Sequence, residues 1–254
     1  MTRSPIVDEW VNTMFPSQDI RPEWLSNACY EIERDWKVNN PCDSISEETY
    51  LGELENKIVY TNLSDVTARG SRGLPAGITL PSMYTTLDGP IVLELVHMMD
   101  VGVSAFVLEK VRLDREQAAY QRLCATEESI AGLPLVAQRD PQSVATPTYP
   151  RKCMRYTLSD GRNEIEAVEF RKAFPFLLGE TSIGLKMRLE NVPIIGGVAF
   201  LDPDLVEILG GSVEEQAEWH YTRFRNDLTM RMGEELVLSK KHGIPCRELF
   251  ASAN

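Results

Sequence analysis

Over the first sixty residues apolar positions recur every three or four places, the spacing of amphipathic helices. Ser4-Pro5 is a cap followed by proline at the first helical position, and Ile6, Val7, Trp10, Val11 and Met14 then share one face. Pro22 opens a second helix with Leu25, Ala28, Cys29, Ile32 and Trp36 on its apolar side. After the Asn39-Asn40-Pro41 break, Ser44-Ile45-Ser46-Glu47 forms a capping box for a third, which carries Tyr50, Leu51, Leu54, Ile58 and Leu63. Three short helices with short connections predict a small bundle.

The period then changes. From about Thr67 to Asp88 the chain is rich in Gly, Pro, Ser and Thr, and reads as a connector with turns. Alternation begins at Ile91, where Ile91, Leu93 and Leu95 face one side, and this first strand region extends to about Arg112. Further strands are predicted at Cys153–Leu158, Ile165–Phe170, Leu185–Val192 and Val198–Leu201. Asp160-Gly161 between two alternating segments signals a hairpin, and Gly196-Gly197 marks a second turn. Asp202-Pro203 caps a short helical turn, and Ser212-Val213-Glu214-Glu215 opens a C-terminal helix through roughly Met232. Five short strands fit a small closed barrel, of which the OB-fold is the commonest form. The predicted fold is therefore α+β: an N-terminal three-helix bundle followed by a five-stranded OB-fold β-barrel, with a long insertion between strands 1 and 2 and a C-terminal helix. The boundaries are 1–66 for the bundle, 67–232 for the barrel with its insertion and helix, and 233–254 for a loosely held tail.

The insertion, residues 113–151, exceeds an ordinary connection of about 4–6 residues several-fold. It is neither of low complexity nor strongly charged. Leu113, Tyr120, Leu123, Ile130, Leu133, Leu135 and Val136 are interspersed in it. A helical turn or two is expected over 114–124, and Pro134, Pro141, Pro147 and Pro150 keep the rest extended. Pattern alone leaves two readings, a surface loop or an arm whose apolar residues are kept for a partner.

Charge sharpens this picture. The chain of 254 residues has net charge −12, too acidic to hold a nucleic-acid backbone by summed charge. Residues 1–60 contain 12 acids and 5 bases, whereas residues 112–211 are near neutral with 14 acids and 12 bases. Three His and five Cys leave little material for metal or histidine chemistry, and no pair of Cys forms CxxC. GxSxG, P-loop, HExxH and GxGxxG motifs are absent. Asp202 and Asp204 read as a helix cap, Glu164, Glu166 and Glu169 as a solvated strand edge, and His97 as a core or rim residue. No catalytic site, cofactor or metal is expected. The barrel segment carries Lys152, Arg155, Arg162, Arg171, Lys172, Lys186 and Arg188, and its aromatics Tyr156, Phe170, Phe174, Phe176 and Phe200 read mainly as core. Reduced thiols, no signal peptide and no apolar run near the roughly 18 residues of a membrane span point to a cytosolic or nuclear protein.

Several stretches in this order carry a resemblance: RPEWLSNAC in the bundle, LPAGI and the strand IVLELVHMMDV, then YPRKCMRYTLSDG after the insertion. IEAVEF, GLKMRLENVPIIGGVAFLDP and VEILGGSVEE follow. Together they resemble the N-terminal region of the RecQ-mediated genome instability protein 1 family over about residues 20–225, most specifically at Met154–Gly161 and Leu185–Val213. The length resembles the short, fungal-type members, with no room for a second OB domain. The resemblance implies a nuclear, non-enzymatic accessory subunit of type IA topoisomerase III. Acting with a RecQ-family helicase, such a subunit promotes dissolution of double Holliday junctions and decatenation, with weak or indirect DNA contact. It implies that the insertion reaches the topoisomerase gate, with Tyr120, Leu123, Leu133, Pro134, Leu135 and Val136 as the gate-loop candidates. Lys186 falls where the family has a basic residue implicated in partner binding, and Arg188 is expected to share that docking face. Two readings compete with this one: an OB-fold protein that binds single-stranded DNA alone, and a paralogous adaptor carrying a Tudor module, of which no segment is evident.

Overall fold

Proline fixes where the first two helices begin. Pro5 and Pro22 stand at the first positions of α1 (Pro5–Met14) and α2 (Pro22–Asn39), where a missing N–H costs nothing. The cap of α3 (Glu47–Val59) is Ser46 rather than Ser44, because the Ser46 hydroxyl accepts the Thr49 N–H at 3.2 Å. Leu63 lies in a separate turn, α4 (Leu63–Val66), started by the Asn62 side chain. The computed structural model describes residues 5–68, 73–130 and 145–242. Two compact units divide the chain. One comprises Met1–Met99, Met154–Phe176 and Thr181–Thr222, and the other Asp100–Cys153, Leu177–Glu180 and Arg223–Asn254.

In the first unit the helices build an apolar cluster that also takes in the sheet at one strand position. Val7, Val11, Leu25, Ala28, Ile32, Leu54, Ile58, Leu63 and Val66 share one apolar cluster with the strand residue Val92. Gln18 reinforces that link as a surrogate strand, donating to the Val92 carbonyl at 2.8 Å and accepting its N–H at 3.1 Å. Apart from Val92, the buried members of this cluster lie at or before residue 66.

Eight strands make one mixed sheet: β1 (Tyr84–Leu87), β2 (Ile91–Asp100), β3 (Met154–Ser159), β4 (Glu164–Glu169), β5 (Lys186–Leu189), β6 (Val192–Ile195), β7 (Val198–Leu201) and β8 (Val206–Gly210). Their order is β1-β6-β7-β4-β3-β2-β5-β8. The predicted strand Leu185–Val192 is broken at Asn191, whose φ of 56° kinks the chain, and the opposite strand is broken by the 3-10 turn Pro203–Leu205. One long hairpin thereby becomes two ladders, β5/β8 and β6/β7. The near ladder pairs with β2 and the far one with β4, in parallel, which curls the sheet as an OB-fold requires. At the hairpin tip Gly196 and Gly197 both have positive φ, the turn that matches strand twist. Gly211, at φ 90°, passes so close to the Val59 carbonyl that any Cβ would collide with it. This accounts for the Leu-Gly-Gly ending.

Two expectations fail in this region. The connector contains an edge strand, β1, and strand structure stops at Asp100 instead of running on to Arg112. From Ala105 to Ile130 the second unit holds a 26-residue helix, α5, much longer than the turn or two expected over 114–124. The C-terminal helix α6 (Glu214–His242) continues past Met232, through part of the expected tail.

Candidate partner-binding site

The arm is the dominant feature of the second unit. At about 1.5 Å per residue α5 is roughly 39 Å long. Its two chain ends are clamped by one buried carboxylate. Asp100 accepts N–H groups from Gly102 at 2.8 Å and Val103 at 3.0 Å on the outgoing side, and from Lys152 and Cys153 on the returning side. Val101 N–H also donates to the Cys153 carbonyl at 2.8 Å. The α5 N-terminus is satisfied by Glu235 of α6, whose carboxylate accepts from Ala105 N–H at 2.8 Å and from the Ser104 hydroxyl at 2.6 Å. Arg231 completes the base by donating to the carbonyls of Asp100 and Val103.

Farther along, the returning segment is strapped to the helix. Arg115 donates to the carbonyls of Pro147 and Gly179 and lies 5.2 Å from the centre of the Tyr149 ring. Arg122 reaches the Thr146 hydroxyl at 2.8 Å. Arg112 is buried and held by both Glu109 and Glu116. The helical side of the arm is therefore a braced stem, longer than the turn or two expected, while the extended stretch expected around Pro134 and Pro141 lies outside the described residues.

Buried Val103, Ala105, Val107, Leu108 and Ala118 pack the stem alongside these polar groups, while three large apolar residues face solvent. Leu113, Tyr120 and Leu123 are 51%, 68% and 65% exposed. Their spacing of seven and three residues puts them on one side of the helix. Of the six gate-loop candidates, Tyr120 and Leu123 thus fall on this stripe. Leu133, Pro134, Leu135 and Val136 lie outside the described residues.

The docking-face expectation needs correction for Lys186. Its side chain is fully buried and its ammonium lies 2.9 Å from the Glu94 carboxylate, itself 1% exposed. The two residues are directly opposed in the β2/β5 register. Lys186 also donates to the Gly184 carbonyl at 2.8 Å, while Glu94 accepts the Leu63 N–H that opens α4 at 2.9 Å. Burial pushes the Lys186 pKa below its ordinary value, with the Glu94 charge opposing that shift. Lys186 therefore ties strand to strand and sheet to helix, and offers no surface to a partner. Arg188 is partly exposed, 3.8 Å from Glu207 on β8. The two cations do not share a solvent-facing patch.

The aromatics divide in a way the sequence did not show. Tyr156, Phe174 and Phe176 are buried and pack edge-on or stacked, with the Tyr156 hydroxyl donating to Glu169 at 2.8 Å. Phe170 and Phe200 instead lie on the outer face as an edge-on pair, with Arg171 over the Phe170 ring. Of the three glutamates expected at a solvated edge, Glu164 is exposed and Glu166 half-exposed, but Glu166 and Glu169 also accept from the Thr157 and Tyr156 hydroxyls. His97 and His220 meet at 2.8 Å between their Nδ1 atoms, so one imidazole donates while the other must be an unprotonated acceptor. Their separation of 123 residues hid this pair from any spacing argument. No group of three or more potential metal ligands occurs among the described residues, and no described helix is long and apolar enough to cross a membrane.

A curled mixed sheet with a parallel β4/β7 closure defines an OB-fold domain. Residues 74–223 match the family model described as RMI1, N-terminal OB-fold domain, and the chain belongs to that family. It is similar to RecQ-mediated genome instability protein 1 of Oryza sativa subsp. japonica, 28% identical over 202 residues, which cover 78% of this chain and 19% of that protein. It is also similar to the Xenopus laevis protein of the same name, 29% identical over 143 residues, 56% of this chain and 23% of the other. The chain thus spans about a fifth of the length of these curated relatives.

Proposed function

We propose that this chain is a non-enzymatic, nuclear accessory subunit of a type IA topoisomerase III, working with a RecQ-family helicase in genome stability. Its relatives' name, RecQ-mediated genome instability protein 1, supports the pathway. The observation that carries the mechanism is the stem of α5, clamped at its base and presenting Leu113, Tyr120 and Leu123 on one exposed side. A braced helix presents Leu113, Tyr120 and Leu123 at little entropic cost, because the arm is ordered before it binds. If these residues are covered in one gate state of the topoisomerase and not in another, the arm shifts that equilibrium by the difference in affinity. Dissolution of double Holliday junctions and decatenation then depend on how often the gate visits the favoured state.

Removal of residues 118–148 tests this reading. Topoisomerase III is expected to co-purify with the shortened chain in near-stoichiometric amount, while stimulation of decatenation is lost. Undiminished stimulation would refute the role given to the arm. The outward Phe170, Phe200 and Arg171 favour a second reading, a stand-alone single-strand binder, since aromatics beside a cation suit base stacking. Yet Arg171 lies 3.5 Å from Asp202, and Lys172 and Arg155 are likewise matched by Asp204 and Glu166. Tight oligonucleotide binding by the isolated protein at physiological salt would favour that alternative.

A further inference from the structure

The free edge of β1 is built to receive another strand. In the β1/β6 ladder Gly196 N–H donates to the Met83 carbonyl at 2.8 Å. Antiparallel pairing alternates, so Met83, Thr85 and Leu87 turn their backbone groups toward β6, whereas Tyr84 and Thr86 turn theirs away. β1 ends the sheet, and the outward groups of these two residues have no strand beside them among the described residues. Natural edges are blunted by shortness, charge, bulges or a covering element, and of these β1 has only its shortness among the described residues. It reads Tyr-Thr-Thr-Leu, and Tyr84 is 73% exposed.

A groove of about 410 Å³ adjoins the same edge. Pro75, Ile78, Met83, Leu87 and Ile91 line it, and Asp88 is the one charged group among its described lining residues. Side chains alternate along an added strand, so one would enter the groove while its neighbours lay beside Tyr84 and Ile195 on the outer face. Ile195, opposite Tyr84 in the register, is itself 45% exposed. Charge selects among occupants. Asp88 and the leader that supplies Pro16 and Ser17, net −7 over residues 1–60, favour a basic segment. A second copy would bring another −12 to the same edge.

We propose that the outward edge of β1 and its groove bind an extended segment of another protein, with alternating apolar side chains and flanking basic residues, as an added strand. The probe is a labelled synthetic peptide of alternating valine and threonine with lysines at both ends, compared with the same peptide flanked by glutamates. The lysine peptide is expected to bind by fluorescence anisotropy, to slow amide exchange at Tyr84 and Thr86, and to bind at least about tenfold more tightly than its acidic counterpart. Thr86→Pro removes an outward N–H without touching the β6 ladder, and should abolish binding with an unchanged thermal unfolding midpoint. Thr85→Trp fills the groove from an exposed position and should do the same, and Asp88→Lys should reverse the charge preference. Equal binding of the lysine peptide to wild type and both of the first two variants overturns the proposal, as does no binding to wild type. Slow exchange of the Tyr84 and Thr86 amides in the free monomer would assign the edge to this chain's own segments, and protection that grows with self-association would assign it to a second copy. Either result also overturns it.

Discussion

The sheet and the arm invert each other's chemistry. In the sheet, charges turn inward: Glu94, Lys186, Asp160 and Asp202 are all buried, each beside a donor or a counter-charge. Along α5, Ala105, Val107, Leu108 and Ala118 are buried, but Leu113, Tyr120 and Leu123 turn outward, and Arg112, Arg115 and Arg122 add polar bracing. A buried charge is tolerated only in one geometry, so it specifies a fold. An exposed leucine specifies nothing within its own chain, and a row of them on a braced helix adds no stability to it. The sheet's buried charges therefore concern structure, whereas the arm's exposed apolar residues contribute little to it.

The largest expected effect tests the first half of that contrast. Lys186→Ala leaves Glu94 buried with no counter-charge and should lower stability by about 3–5 kcal/mol. Denaturant unfolding measures it. The double variant Glu94→Leu with Lys186→Met should recover only part of that loss, because it removes the unpaired charge but leaves the Leu63 N–H and the Gly184 carbonyl without their partners. A surface role for Lys186 predicts the reverse, a single variant of unchanged stability that fails only in docking. The pH dependence has a defined sign. The Lys186 pKa is lowered on folding, so the unfolded chain binds more protons between that value and 10.5. Stability contributed by this site therefore rises with pH across that window. The Lys186→Met variant should lack that rise.

A smaller loss is expected at the arm's base. Asp100→Ala removes one acceptor from four N–H groups, of which the two returning ones have no sequence-local substitute. About 2–4 kcal/mol is expected, since each buried donor left unmatched costs on the order of 1–3 kcal/mol before water and rearrangement compensate. Hydrogen exchange should quicken first at Gly102, Val103, Lys152 and Cys153. If the sheet's amides exchanged as readily as these four, the clamp would not be local to the arm.

Periodicity and turn chemistry made the bundle, both glycine turns and the parallel-closing strands legible from sequence. What it missed depends on partners distant along the chain. Lys186 sits at an alternating strand position, which reads as solvent-facing, and Glu94 is far away in sequence, so only the β2/β5 register reveals the pair. Residues Ala105–Leu113 are rich enough in Val, Leu and Phe to pass for continued strand. Helix is set there by Glu235, 130 residues onward, which takes the Ala105 N–H. β1 escaped notice because Tyr84–Leu87 is short, polar and edge-placed, with no apolar alternation to announce it. Tyr120 and Leu123 were singled out through the family resemblance and the position of the insertion, and their shared side with Leu113 emerged only once α5 was seen as one helix.

The smallest structural effect carries the most functional weight. Substituting Leu113, Tyr120 and Leu123 together by serine removes the exposed stripe but leaves Asp100, Glu235, Arg115 and Arg122 to hold the arm. Exposed substitutions away from such anchors change stability by about 0.5 kcal/mol or less each, so the unfolding midpoint should barely move. Helix propensity falls slightly with serine, which the single variants control for. Under the proposed function, co-purification with topoisomerase III should persist as it should for the 118–148 deletion, whereas stimulation of decatenation should fall toward that of the deletion. Alanine at the same three positions preserves helix propensity while still removing the apolar bulk. If the alanine variant kept full stimulation, the stripe would be ordinary surface, and the arm would act through its length alone.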